Sequence, residues 1–161
     1  MTSTDPITGP LNSDDRDTTA RALQSTLVEL IALHLTAKQA HWNVVGRFFR
    51  DVHLQLDELV TTARDFADSV AERSAAIGVP PDGRADTVAA DAGLPKLDSG
   101  WRSDRDVVEY IVQVLETMIQ RLRARIDETD KTDQVTQDLL IAIANKLEEA
   151  HWMWQAQLAG S

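Results

Sequence analysis

Apolar residues recur at helical spacing in four long stretches of this chain. Leu23, Leu27, Leu30, His34, Ala37 and His41 fall four and three apart, the stripe of a helix buried along one face, and predict a helix from about Thr18 to about Val44. Gly46 marks the break after it. A second stripe, Val52, Leu56, Leu59, Ala63, Phe66 and Val70, predicts a helix over roughly 49–77, ended by Gly78, Pro80 and Pro81. Ser103 reads as an N-cap with Asp104 and Asp106 in the first turn, followed by Ile111, Leu115, Met118, Leu122 and Ile126. A fourth helix starts near Thr132 and runs through Leu139, Ile143, Leu147 and Trp154. Residues 78–102 are rich in Gly, Pro and Asp and too long for a hairpin between neighbouring helices, so they read as a crossover with a short helix near 86–90. The expected fold is all-α: a four-helix bundle over 18–157, with a long crossover between its second and third helices. Residues 1–17 read as a flexible or adherent tail, and 158–161 as a short C-terminal one. No repeat and no strand-like alternation interrupts the pattern.

Composition narrows the classes. The chain has 161 residues, one domain's worth, and no cysteine, which excludes disulfides and thiolate ligands and suits a reducing cytosol. No apolar run approaches a membrane span and the first twenty residues hold no signal-type core, so a cytoplasmic location and no membrane partner are expected. The net charge of −10 repels nucleic acid and favours cations.

The candidate chemistry lies between His41 and Glu72. The second helix carries two pairs of ligand types at i,i+4, His53/Asp57 and Asp68/Glu72. At roughly 100° per residue they share one face, with Thr61 and Arg64 between them. Along the axis, Asp57 and Asp68 are about 16 Å apart. Bonds from N or O ligands to a first-row metal are about 2 Å long. One helix therefore cannot close both pairs on one ion, whereas two antiparallel copies related by a twofold can. A metal site here would be shared between subunits. The commoner reading of an acidic row is a solvated face, but a histidine at 53 belongs neither to such a row nor to the apolar stripe.

The run Lys38-Gln39-Ala40-His41-Trp42-Asn43, then Val52-His53 with Asp57, then Asp68 with Ala71-Glu72-Arg73, resembles the signature of Dps proteins, the mini-ferritins of the ferritin-like superfamily. The resemblance spans about 18–154 and implies a ferritin-like bundle, whose second and third helices are joined by such a crossover. By position it implies a ferroxidase site at a twofold interface, with His41, His53 and Asp57 from one chain and Asp68 and Glu72 from its mate. These would be both the metal ligands and the catalytic residues. It further implies a two-iron site cycling Fe2+ and Fe3+, the metals about 3.5–4 Å apart with a carboxylate such as Glu72 bridging. With two histidines and three carboxylates, one position should be the weaker. The implied reaction is oxidation of Fe(II), preferentially by hydrogen peroxide, two irons per peroxide so that hydroxyl radicals are avoided. Ferric oxide would then be stored in a hollow dodecameric shell, protecting against oxidative damage. Trp42 would lie near the iron and absorb stray oxidising equivalents. Zinc is a lesser occupant of such donors.

Other residues weigh differently. His34 reads as a hydrogen-bonded core histidine. Glu148 and His151 form one Glu-x-x-His, where an intrachain di-iron site needs two, and read as a polar surface pair. The last interhelical turn holds Asp127, Glu128, Asp130, Asp133 and Asp138; Asp127 and Glu128 sit at a helix C-terminus, the wrong end for anions. By analogy with the family's threefold channels the cluster reads as an iron pore, Asp138 first and Asp133 second.

The resemblance also implies DNA as a partner, and a nucleoid-compacting protein with secondary metal binding as the alternative function, nucleoid-associated in the cytoplasm. Many family members bind DNA through basic tails. This N-terminal stretch sets Asp5, Asp14, Asp15 and Asp17 against Arg16, and nothing charged follows Trp154. Arg121, Arg123 and Arg125 form the one basic run, spread around a helix, and twelve copies at −10 each would carry −120 formally. Each phosphate contact needs a cation to displace counterions. DNA binding is therefore expected to be weak or absent at physiological salt in gel shifts at two salt concentrations; a tight, salt-tolerant complex would contradict this.

Overall fold

The computed structural model describes residues 5–159. Among them the order is α1 (Ser13–Asn43), α2 (Phe49–Ala76), α3 (Ala85–Asp91), α4 (Asp104–Thr129) and α5 (Gln134–Ala156). Helix α1 packs chiefly on α2 and α4 on α5, with α1 also against α4, and the short α3 lies in the crossover against α1. The expected all-α bundle with its crossover is what the chain adopts. Its stripes become the core: Leu23, Leu30, Leu56, Ile111, Leu115, Ile143, Leu147 and Trp154 are almost wholly buried. Each such side chain contributes roughly 1.5–3 kcal/mol of apolar transfer, far more than helix propensity supplies.

Boundaries follow caps more closely than stripes. Helix α1 begins at Ser13 rather than near Thr18, because the Asn12 side chain accepts from the Asp15 amide at 3.0 Å and Asp14 and Asp15 face the positive end of the helix. These first turns face solvent and so show no apolar period. The expected tail of 1–17 is therefore helical from 13, and Gly9 ahead of it lies so close to Ile77 that a Cβ there would clash with the Ile77 carbonyl. At the other end Leu158 packs against the core, so the bundle reaches into the expected tail of 158–161. Residues 1–4 and 160–161 lie outside the described residues. Ser103 caps α4 as expected, accepting from the Asp106 amide at 3.0 Å. Asp133, not Thr132, caps α5.

The α1–α2 turn is anchored to the start of α4. Val44 and Val45 pair in parallel with Arg102 and Ser103. Two residues per strand are too few for any alternation in sequence. Beside this bridge the Phe48 amide donates to Asp104 at 2.7 Å. Gly46 has φ +132°, and a Cβ there would lie 2.7 Å from the Asp104 carboxylate, so the turn needs glycine on both counts. The turn thus holds His41, at the end of α1, against His53, at the start of α2.

Across the bundle, Glu29 is buried and bound by two guanidinium groups of α4. Arg125 grips it at 2.6 and 2.8 Å and Arg121 at 2.9 Å. Arg121 also donates to the Ala92 and Gly93 carbonyls, tying down the end of α3. Gln24 fixes the start of the crossover through paired bonds with the Asp82 backbone.

Candidate functional site

His41 and His53 face each other across the α1–α2 seam, their rings stacked with centroids 3.6 Å apart and 17° between planes. Each is held by the other's backbone: His41 Nδ1 lies 2.7 Å from the His53 carbonyl oxygen, and His53 Nδ1 lies 2.8 Å from that of His41. A carbonyl only accepts, so both Nδ1 atoms carry a proton, and in the neutral ring the ligating lone pair is the one on Nε2. This is the arrangement by which a metal-binding histidine is oriented from behind. The His41 carbonyl is free to accept because it belongs to the last turn of α1, which lacks helical donors.

Asp57 lies one turn beyond His53, its Oδ1 3.5 Å from His41 Nδ1. The same oxygen accepts from Lys38 Nζ at 2.5 Å. That hydrogen bond, working against desolvation, holds the Asp57 carboxyl below its ordinary value, so it is an anion at neutral pH. Lys38 took no part in the sequence reading beyond its place in the motif. The signal was there: it stands one turn before His41, on the same side of α1.

Asp68 and Glu72 are exposed on the far half of α2 and, among the described residues, enter no ion pair within the chain. Nor do any three His, Asp or Glu side chains of one described chain converge closely enough to hold an ion. The structure places His41, His53 and Asp57 next to one another, short of an ion-holding cluster, and leaves Asp68 and Glu72 apart. Imidazole nitrogens and carboxylate oxygens suit Fe(II), Fe(III) or Zn(II). Trp42, next to His41, is 63% exposed.

Likeness to known proteins extends over nearly the whole chain. The family model described as a Ferritin-like domain matches residues 20–160. A "DNA protection during starvation protein" of Mycolicibacterium smegmatis is 37% identical over 143 residues, covering 86% of this chain and 76% of that one. The chain belongs to the Dps family of the ferritin-like superfamily. It is also 37% identical to "DNA protection during starvation protein 2" of Deinococcus radiodurans over 91% of this chain, spanning 61% of that relative's length. The solved structure of Dps from Microbacterium arborescens in the high iron form superposes with a TM-score of 0.89 at 33% identity, over 95% of this chain and 99% of that one.

Several other expectations change. His34 is half-buried beside Arg64, lining grooves on the outer face of the α1–α2 pair, and is not a core histidine. Burial first, then the Arg64 charge, lower its pKa and favour the neutral ring. Glu148 pairs with Arg123 at 2.5 Å, while His151 Nε2 is buried without a hydrogen-bond partner, so these two share no ligand geometry. Asp138 is exposed on α5, free to face solvent or a neighbour. Asp133 does not fit a pore lining. It is 8% exposed, caps α5 by accepting from the Val135 and Thr136 amides and the Thr136 hydroxyl, and is bound by Arg73 at 2.6 Å.

Burial alone would raise the Asp133 pKa, but the bonds from Thr136 and Arg73 outweigh it and the carboxyl sits below its ordinary value of 3.8. Its stabilisation is therefore complete above that value and lost as pH falls through the depressed one. Asp133→Ala should cost about 1–3 kcal/mol at neutral pH. Thermal midpoints should differ clearly at neutral pH and approach each other in strong acid; a pH-independent gap would contradict the assignment.

Proposed function

We propose that this protein is a ferroxidase and iron-storage mini-ferritin. It oxidises Fe(II), preferably with hydrogen peroxide, and stores the ferric product inside a homo-oligomeric shell of twelve chains. The observation that carries the reading is the pair of histidines locked by reciprocal Nδ1 bonds, with an ionised Asp57 whose Oδ1 lies 3.5 Å from His41 Nδ1. The partner's Asp68 and Glu72 complete the set in an antiparallel pair, and within the chain neither is engaged in an ion pair.

Two Fe(II) ions each give up one electron to a single peroxide. Its O–O bond breaks, and with two protons it leaves as two waters. Two-electron reduction at a paired site denies peroxide the one-electron step that releases hydroxyl radical. The three carboxylates oppose the charge gained as each iron passes to Fe(III), so they favour the oxidised product. Lys38 already holds Asp57 Oδ1 and competes with iron for this carboxylate, which makes that position the weaker of the two.

Surface charge supports iron over DNA as the principal partner. Arg121 and Arg125 are turned onto Glu29 and Arg123 onto Glu148, so two of the three charges of the one basic run are offset within the chain. No described helix is long and apolar enough to cross a membrane. A cytoplasmic setting, reducing enough to supply Fe(II), agrees with the absence of cysteine.

Rates of ferrous oxidation with peroxide should fall at least about tenfold in both His53→Ala and Asp68→Ala, with peroxide outpacing dioxygen in the wild type. Wild-type rates in both variants would overturn the reading.

A further inference from the structure

The outer face of the α1–α2 pair carries one long groove in two halves. The first, about 600 Å³, is lined by Leu35, Lys38, Trp42, Asp57 and Val60. The second, about 280 Å³, is lined by Leu27, Ile31, Ala67, Ala71, Pro81 and Gly83, with Asp68 at its edge. The halves meet at His34 and Arg64, which border both. Each half holds one side of the split ligand set, Asp57 in the first and Asp68 in the second.

The proposed twofold fixes how the halves meet. Placing Asp57 opposite the partner's Asp68 also places His53 opposite the partner's Glu72, so the axis passes near residues 62–63 of α2, beside the junction. The first half of one chain then lies on the second half of the other. Trp42 follows His41, which stacks on His53, so it stands level with the partner's Glu72. Its neighbour in sequence, the partner's Ala71, is in the floor of the apolar half. A large indole 63% exposed in the isolated chain, with Leu35 54% exposed one turn or two away, thus comes level with a groove built of small and aliphatic residues. The charges agree as well: Lys38 beside Trp42 approaches the unpaired carboxylate at the edge of the opposite half.

We propose that Trp42 is the anchor of the twofold interface, its indole seated in the partner's groove between Leu27, Ile31, Ala67, Ala71 and Pro81. This rests on the shared-site reading and deepens it, since the contact that joins two subunits lies beside the ligands that joining completes. Aromatic side chains in desolvated pockets dominate interface energetics, and the neighbouring residue His41 is a ligand. Seating Trp42 therefore sets the register in which the two half-sites meet.

The test is photo-crosslinking with benzoylphenylalanine placed at position 42 of the full chain. Within one chain, Trp42 and Ala71 are separated by roughly 27 Å along the α2 axis, so a crosslink between position 42 and the second half of the groove can only be intermolecular. A covalent dimer is expected, with adducts mapping to segments 27–31, 67–71 or 81–83. Trp42→Ala should weaken self-association at least about tenfold, and Trp42→Phe much less. Absence of the covalent dimer, or adducts confined to other segments, would overturn the anchor. The crosslink reads register and not iron chemistry. Groove adducts beside unchanged oxidation in His53→Ala would keep the anchor and discard the ferroxidase; lost oxidation without groove adducts would discard the anchor alone.

Discussion

Bonds of about 2 Å to a metal must be reconciled with about 16 Å of helix between the two ligand pairs of α2. A straight helix cannot fold back on itself, so no rearrangement within one chain closes that gap. The proposed ligand set is therefore usable only when a second α2 runs antiparallel to the first. From this follow the twofold, the register of the subunits and the position of the groove halves. In the proposed centre assembly and chemistry become one event, because an isolated chain presents His41, His53 and Asp57 without Asp68 and Glu72 beside them.

The rest of the bundle holds the half-site rigid. The turn after α1 is short, glycine-dependent and bonded to the start of α4 through the Val44–Arg102 pairing and the Phe48–Asp104 contact. Pinning the turn on that side keeps the two histidines stacked and their Nδ1 protons committed to the backbone. Lys38 keeps Asp57 ionised and in place while no iron is bound. Across the bundle, the buried Glu29 carboxylate is bound by two arginines, which ties α1 to α4 and offsets one of their two charges.

Helix count, crossover and core were legible because each stripe obeys the helical period and buries the residues that period selects. The candidate ligands of α2 stood out in the sequence because i,i+4 pairs repeat on one face. Helix starts were less so: the first turns of α1 are solvent-facing, and Asn12 rather than an apolar residue marks its true beginning. Side-chain partnerships across elements were not legible. The Lys38–Asp57 bond, the histidine carbonyl bonds and the double arginine clamp on Glu29 join residues 19, 12 and more than 90 positions apart, and no local pattern encodes such pairings. Asp133 shows the same limit. As one member of an acidic turn it resembled a pore residue, whereas its bonds to Arg73 and Thr136 make it a buried cap.

The split site is tested most directly by dissociating His53→Ala and Asp68→Ala subunits, mixing them and allowing them to reassociate. In a mixed pair, one of the two sites carries both defects and the other carries none. Random mixing of equal amounts should then restore about a quarter of the wild-type oxidation rate from two nearly inactive parents. Recovery no greater than the average of the parents would mean that each chain completes its own site, and would contradict the shared centre.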